Sequence, residues 1–198
     1  MIGHQLKKIC KQKSIPFRCV YHDPTRSAAE TQAVLPEDCL VQKTITCRLT
    51  SKGSEKLILW TGVADYRISR SMYKQVAKLL DMNRIQRQTS NPKDIEPLVF
   101  FSMPEGTISP FLVNPSPAVD KLDAIIFLPW PKDWNVKYEV AISLSLEESF
   151  IIPLFRLQEL LLAYQTSIYP NLQVIQFCGS PNYGEEYIKT ATKGRLLF

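Results

Sequence analysis

The chain has 198 residues, 45% of them hydrophobic and 22% charged, which suits one substantial core and a single domain and argues against wholesale disorder. Its net charge of +5 admits an acidic partner such as RNA without requiring one. The seven glycines form neither a G-x-G-x-x-G nor a Walker A pattern, which removes the common dinucleotide and P-loop classes. The five cysteines never fall as C-x-x-C, so a disulfide framework and a structural zinc site are not expected and a reducing cytoplasm is the simpler home.

Gln5 to Lys13 reads as a short basic helix with Leu6, Ile9 and Cys10 inward. No apolar stretch follows its lysines, so no secretory signal is read there, and no run approaches the length of a membrane span. Ile15, Phe17, Cys19 and Tyr21 alternate with Arg18, Val20 and His22 as in a strand with one buried face, ended by Asp23-Pro24. Ser27 and Glu30 have capping-box spacing for a helix running to about Val34.

Val41 to Thr50 is the most informative strand. Val41, Lys43, Ile45, Cys47 and Leu49 fall on one face, with Gln42, Thr44, Thr46, Arg48 and Thr50 on the other. Lys43 therefore sits within an apolar stripe. A buried ammonium is costly, so this side chain must snorkel, pair with a carboxylate or face a cavity that admits a polar ligand.

Ser51 to Ser54 reads as the turn of a hairpin whose second strand is Lys56 to Val63. Ser69 caps a helix with Met72, Val76, Leu79 and Leu80 inward and Arg70, Lys74 and Lys78 on the outer side, a row that reads as a solvated face. A short strand at Arg84 to Gln86 and a helix starting at Asn91-Pro92 are expected next.

Then comes Met103 to Phe111. Pro104 suits the second position of a type I turn and Gly106 the fourth, while Pro110 biases Ser109 toward extended backbone. Thr107, Ile108 and Ser109 lie between two punctuated ends, where their N–H groups cannot all enter a sheet ladder and are free to face a ligand. Beyond it, strands are expected at Ala124 to Leu128, Tyr138 to Leu146, Phe150 to Pro153 and Leu172 to Phe177, with a helix at Leu154 to Tyr164. From Gly179 the chain reads as a polar tail.

Two of these stretches carry a resemblance. Val41-Gln42-Lys43-Thr44-Ile45 resembles the V-x-K-T-hydrophobic strand, and Gly106 to Phe111 the G-x-x-x-P-F loop, of the YbaK and prolyl-tRNA synthetase editing-domain group of aminoacyl-tRNA deacylases. The resemblance covers about Phe17 to Leu112 and, more loosely, the remainder to residue 178. It implies an α/β fold: a mixed, curved and partly barrel-like sheet surrounded by helices, in a single domain over residues 1–178. It also implies a trans-acting hydrolase that removes a small amino acid, of the alanyl- or cysteinyl-tRNA for proline type, from mischarged tRNA. The implied catalytic set is Lys43, Gly106, Thr107, Ile108 and Ser109, with Tyr21, His22 and Pro110 binding substrate, and with no metal or cofactor. The implied partners are tRNA and, as a second candidate, an aminoacyl-tRNA synthetase, away from any membrane. Gly106→Val is expected on this reading to damage turnover far more than stability.

The chain departs from the group in two places. Ser145 to Phe150 lacks the histidine that some members carry, and Pro129-Trp130-Pro131 stands where others have glycines. The edited amino acid is therefore not implied. A member that kept the fold and binds tRNA or a synthetase without catalysis is the alternative reading, and a nucleotide or small-ligand module is a third.

Overall fold

Residues 2–63, 66, 68–82 and 84–177 are described by the structure, a computed structural model. The proposed tail from Gly179 lies outside them. In chain order the elements are α1 (Ile2–Gln12), β1 (Arg18–Tyr21), α2 (Ala28–Val34), β2 (Cys39–Ser51), β3 (Ser54–Val63), α3 (Arg70–Leu79), β4 (Arg87–Ser90), α4 (Pro97–Phe101), α5 (Pro117–Lys121), β5 (Ala124–Phe127), β6 (Glu139–Ser143), β7 (Glu148–Pro153), α6 (Leu157–Ile168) and β8 (Gln173–Gln176). Two 3-10 turns, Lys132–Val136 and Leu154–Arg156, precede β6 and α6.

The strands form one eight-stranded mixed sheet in the order β1-β7-β6-β2-β3-β5-β8, with β4 also paired to β2. The β6–β2, β3–β5 and β5–β8 pairs are parallel and the others antiparallel. This is the expected mixed α/β domain, helices around a sheet. Among the described residues the sheet stays open, with β1 and β8 at its ends, so the barrel-like character does not extend to closure.

The long strand β2 joins the two halves. Its first residues, Cys39 to Val41, run parallel to β6, and Gln42 to Ser51 pair with β3 in a hairpin that turns at Gly53. The core follows from this arrangement. Trp60 on β3 is fully buried, meets Tyr73 of α3 edge-on at 5.5 Å between centroids, and meets Phe177 at 6.3 Å. Ser69 closes a reciprocal cap on α3, its hydroxyl accepting from the Met72 amide at 3.3 Å while the Met72 sulfur accepts from the Ser69 amide at 3.4 Å.

Several local expectations give way to tertiary pairing. The strand expected at Arg84 to Gln86 lies at Arg87–Ser90, because β2 offers its free edge to that register, Cys47 opposite Ser90 and Thr50 opposite Arg87. No helix starts at Pro92; the Ile95 amide closes a turn on the Pro92 carbonyl at 3.0 Å, and the helix begins at Pro97. Leu79 is 57% exposed, and Tyr73 and Ala77 take the inward positions with Met72 and Val76. Alternation separated the two faces of β2 but did not say what covers the polar one. Gln42 and Thr46, placed on the polar face, are buried, as is Thr61 on the facing strand.

Burial holds several weak acids neutral. The Cys10 thiol is pushed up to about 11 and Cys39 to about 12; the Tyr73 phenol is pushed up to about 12. Tyr164 and Tyr169 are raised further, again by desolvation. The native state thus holds protons that the unfolded chain releases from its ordinary thiol and phenol values of 9.0 and 10.0. Stability from these groups is complete below the unfolded values and is lost as pH rises toward the folded ones. Melting temperature should be flat up to about pH 8.5 and fall steadily above it; a value unchanged through pH 11 would contradict this assignment.

Candidate functional site

The loop after α4 begins with a turn one residue later than its sequence suggests. The Thr107 amide donates to the Pro104 carbonyl at 3.1 Å, and the Thr107 hydroxyl donates to the same oxygen at 2.8 Å. Pro104 therefore occupies the first position and Gly106 the third, where its φ of +87° meets the type II requirement for a left-handed residue. The type I assignment is corrected accordingly.

Gly106 is held against the segment that follows His22. A Cβ built on it would lie 2.4 Å from the Arg26 carbonyl oxygen and 2.7 Å from the carbonyl carbon. This is the first placement the sequence could not show, since the partner is a backbone group some 80 residues upstream. The segment itself is tied down at both ends. The His22 amide donates to the Glu147 carbonyl at 3.0 Å and the Thr25 amide to Leu146 at 2.8 Å, while the Ser27 hydroxyl accepts from the Glu30 amide at 3.2 Å. Glu30 returns its carboxylate to the amide of Arg26 at 2.7 Å.

Beyond the turn the loop runs into the core. Thr107, Ser109 and Pro110 are buried and Ile108 is half-buried. The Ser109 hydroxyl accepts from the Phe111 amide at 3.2 Å, and Phe111 packs edge-on against Tyr164 of α6 at 5.3 Å. Two α6-side phenols fix the loop's carbonyls. Tyr169 donates to Pro110, and the Tyr164 hydroxyl lies 2.9 Å from the Leu112 carbonyl. The Pro110 and Leu112 carbonyls thus face the core, while the amides of Gly106, Ile108 and Ser109 donate to no acceptor among the described residues. The Ser109 residue is only 1% exposed. An unmatched amide in so buried a residue is uncommon.

Lys43 is half-buried on β2 opposite Gly62. Gly62 is small for a reason: a Cβ there would meet the Tyr66 ring at 3.0 Å. Tyr66 covers this stretch, its hydroxyl lying 3.1 Å from the Trp60 carbonyl and 3.3 Å from that of Lys43. Beside Lys43, the Gln42 amide nitrogen donates to the hydroxyls of Thr44 at 2.6 Å and Thr61 at 2.5 Å, leaving its buried Oε1 without a hydrogen-bond partner. Alternation placed Gln42 on the face opposite Lys43 and gave no sign of this pairing.

His22 is half-buried and uses both ring nitrogens. Nδ1 lies 2.8 Å from the Asp23 carbonyl, which can only accept, so the proton sits on Nδ1 and Nε2 accepts from the Ser149 hydroxyl at 2.9 Å. Tyr21, in contrast, is 75% exposed at the end of the edge strand β1. Its expected place on a buried face is corrected: the alternation ends where the sheet ends. Thus the structure joins the Gly106 loop to the segment after His22, while Tyr21 stands on the outer edge and Lys43 rises from the central strand. Among the described residues no three His, Cys, Asp or Glu side chains gather as a metal-ligand group, and no helix is long and apolar enough to cross a membrane. The four described cysteines are free thiols.

No family model matches the chain, and no curated protein matches it. Among solved structures, one from work on "Epitope backbone grafting by computational design for improved presentation of linear epitopes on scaffold proteins" is similar at 13% identity and a TM-score of 0.44, covering 92% of this chain and 97% of its own. A likeness of that size transfers neither fold nor activity to this chain.

Proposed function

We propose that this chain is a cytoplasmic, trans-acting aminoacyl-tRNA deacylase that hydrolyses the ester of a mischarged tRNA carrying a small amino acid, as its resemblance to the YbaK and prolyl-tRNA synthetase editing group implies. The observation that carries the reading is the Gly106 to Ser109 loop, which is followed by carbonyls at Pro110 and Leu112 that meet the Tyr169 and Tyr164 phenols, and whose amides at Gly106, Ile108 and Ser109 have no acceptor among the described residues. Ester hydrolysis needs such donors. Water adds to the acyl carbon, the carbonyl becomes a tetrahedral oxyanion, and fixed N–H groups stabilise it by a few kcal/mol. Collapse breaks the acyl–oxygen bond, the ribose hydroxyl leaves with a proton, and the amino acid departs as its carboxylate.

Lys43 takes the role of orienting the terminal ribose or adenosine, or offsetting the developing charge. Pro110, His22 and Tyr21 belong to substrate binding in the same reading. The nucleophile is an ordered water, or the substrate's own reactive group where cysteine is edited. The chain acts here without metal or cofactor. A small substrate follows from sieve logic, because a pocket rejects larger acyl groups by clash but gains only about 1 to 3 kcal/mol per methylene against smaller ones.

A second reading is a non-catalytic member that binds tRNA or a synthetase. It is favoured by Trp130, which stands where other members have glycine, packs edge-on against Phe127 at 5.5 Å and donates to Asn135 Oδ1 at 2.7 Å. Amino-acid release from a panel of mischarged tRNAs separates the two readings. Release from at least one supports the enzyme; salt-dependent tRNA binding with no release from any supports the binding module.

A further inference from the structure

The outer row of α3 is one wall of a groove. Arg70, Lys74 and Lys78 recur at four-residue intervals along the helix, and the segment entering β4 forms the other side with Arg84, Gln86 and Gln88. The groove encloses about 960 Å³, at the upper end of the range of about 300 to 1,000 Å³ for small-molecule sites. Four cations face it against a single carboxylate, Asp81. None of these five charged side chains takes part in an ion pair or side-chain hydrogen bond among the described residues. Some of the chain's other cations are neutralised, Arg48 by both Asp94 at 2.6 Å and Glu55 at 3.1 Å, and Lys56 by Asp123 at 2.8 Å. All three α3 cations are exposed, as the reading of this row as a solvated face expects, and the groove is the setting that reading does not show.

We propose that this groove is a docking track for the phosphate backbone of an RNA strand. That the ligand is an extended polyanion rests on the groove; that it is RNA rests on the deacylase reading above. From Arg70 to Lys78 the helix advances about 12 Å at 1.5 Å per residue, the axial rise of three to four nucleotides at about 3.4 Å each. A periodic row of that length suits a repeating charge better than one compact anion. Gln86 and Gln88 supply amide donors and acceptors for sugar hydroxyls or base edges, and buried Tyr73 and Met82 give the groove an apolar floor on which a sugar or base face can rest.

The test uses fluorescence anisotropy with a labelled 12-nucleotide single-stranded RNA and with uncharged tRNA. Lys74→Gln/Lys78→Gln is compared with Lys8→Gln/Lys11→Gln, which removes the same charge from exposed positions of α1. Lysine and glutamine have similar helix propensities, so both doubles should fold; Arg84→Gln, outside the helix, provides an independent variant. The groove double should bind RNA at least about tenfold more weakly, and its slope of log Kd against log salt should fall by about 1.4, while the α1 double stays within about twofold of wild type. Arg84→Gln should lower the slope by about half as much. Equal loss in both doubles would overturn the proposal. So would a polyglutamate peptide that binds as tightly as RNA and is lost in the groove double, which would make the groove a peptide site. Hydrolysis of mischarged tRNA on the same preparations keeps the two readings apart. Groove-dependent RNA binding without any hydrolysis would sink the deacylase and leave the groove standing, whereas hydrolysis at limiting tRNA that is indifferent to the groove double would sink the groove alone.

Discussion

Replacing Lys43 by alanine should lower kcat/KM for aminoacyl-ester hydrolysis by about 100-fold or more, while changing unfolding stability by no more than about 1 kcal/mol. The two halves of that expectation come from different physics. Lys43 is half-buried on the central strand, so truncation removes some packing of its stem but leaves no large cavity. Its amino group, at the end of a flexible four-carbon stem, is suited to positioning an anionic or polar substrate. Urea unfolding beside a deacylation assay checks both. A mutant that melts far below wild type, with residual activity tracking its folded fraction, would make Lys43 a structural residue.

Gly106→Val should have the opposite signature. The sequence alone favoured a large loss of turnover with little loss of stability, but the neighbouring backbone reverses that order. A Cβ at this position falls 2.4 Å from the Arg26 carbonyl oxygen, and the φ of +87° is one that L side chains rarely adopt. Left-handed strain of about 1 to 2 kcal/mol and overpacking of about 1 to 3 kcal/mol together predict a destabilisation of about 3 kcal/mol. Valine's β-branching adds to the difficulty. The loss should appear in the urea midpoint before any effect on the chemistry can be read, and an unchanged midpoint would show that the loop and the Arg26 segment do not abut as described.

The contrast between these two residues shows what the sequence carried. Periodicity located β2 and β3 because a hairpin is a local object, with two strands, a glycine turn and a register set by adjacency. Likewise Ser27 and Ser69 announced their helices, since a cap is satisfied within three residues. Alternation failed where burial is decided by remote elements. Gln42 and Thr46 fall on the polar face and are nonetheless buried, while Tyr21 reads as buried and is exposed, because period 2 gives the faces of a strand and not what covers them. The same limit applies to the candidate site. That Gly106 to Ser109 forms a backbone-presenting loop was legible from Pro104, Gly106 and Pro110. That Arg26 would wall one side of it, that Tyr169 and Tyr164 would meet the Pro110 and Leu112 carbonyls just beyond it, and that Gln42 would pair with Thr61 are contacts across long sequence separations with no local signature.

The measurement that bears most directly on the central claim is the single-turnover rate of amino-acid release from alanyl-, cysteinyl- and prolyl-tRNA for proline, each presented in turn to excess protein at low salt. The account predicts release of alanine or cysteine well above the spontaneous rate, prolyl-tRNA left intact, and a rate at limiting protein that declines as salt weakens the phosphate contacts. Spontaneous rates for every mischarged tRNA tried, from protein that still binds tRNA in a salt-dependent way, would contradict it.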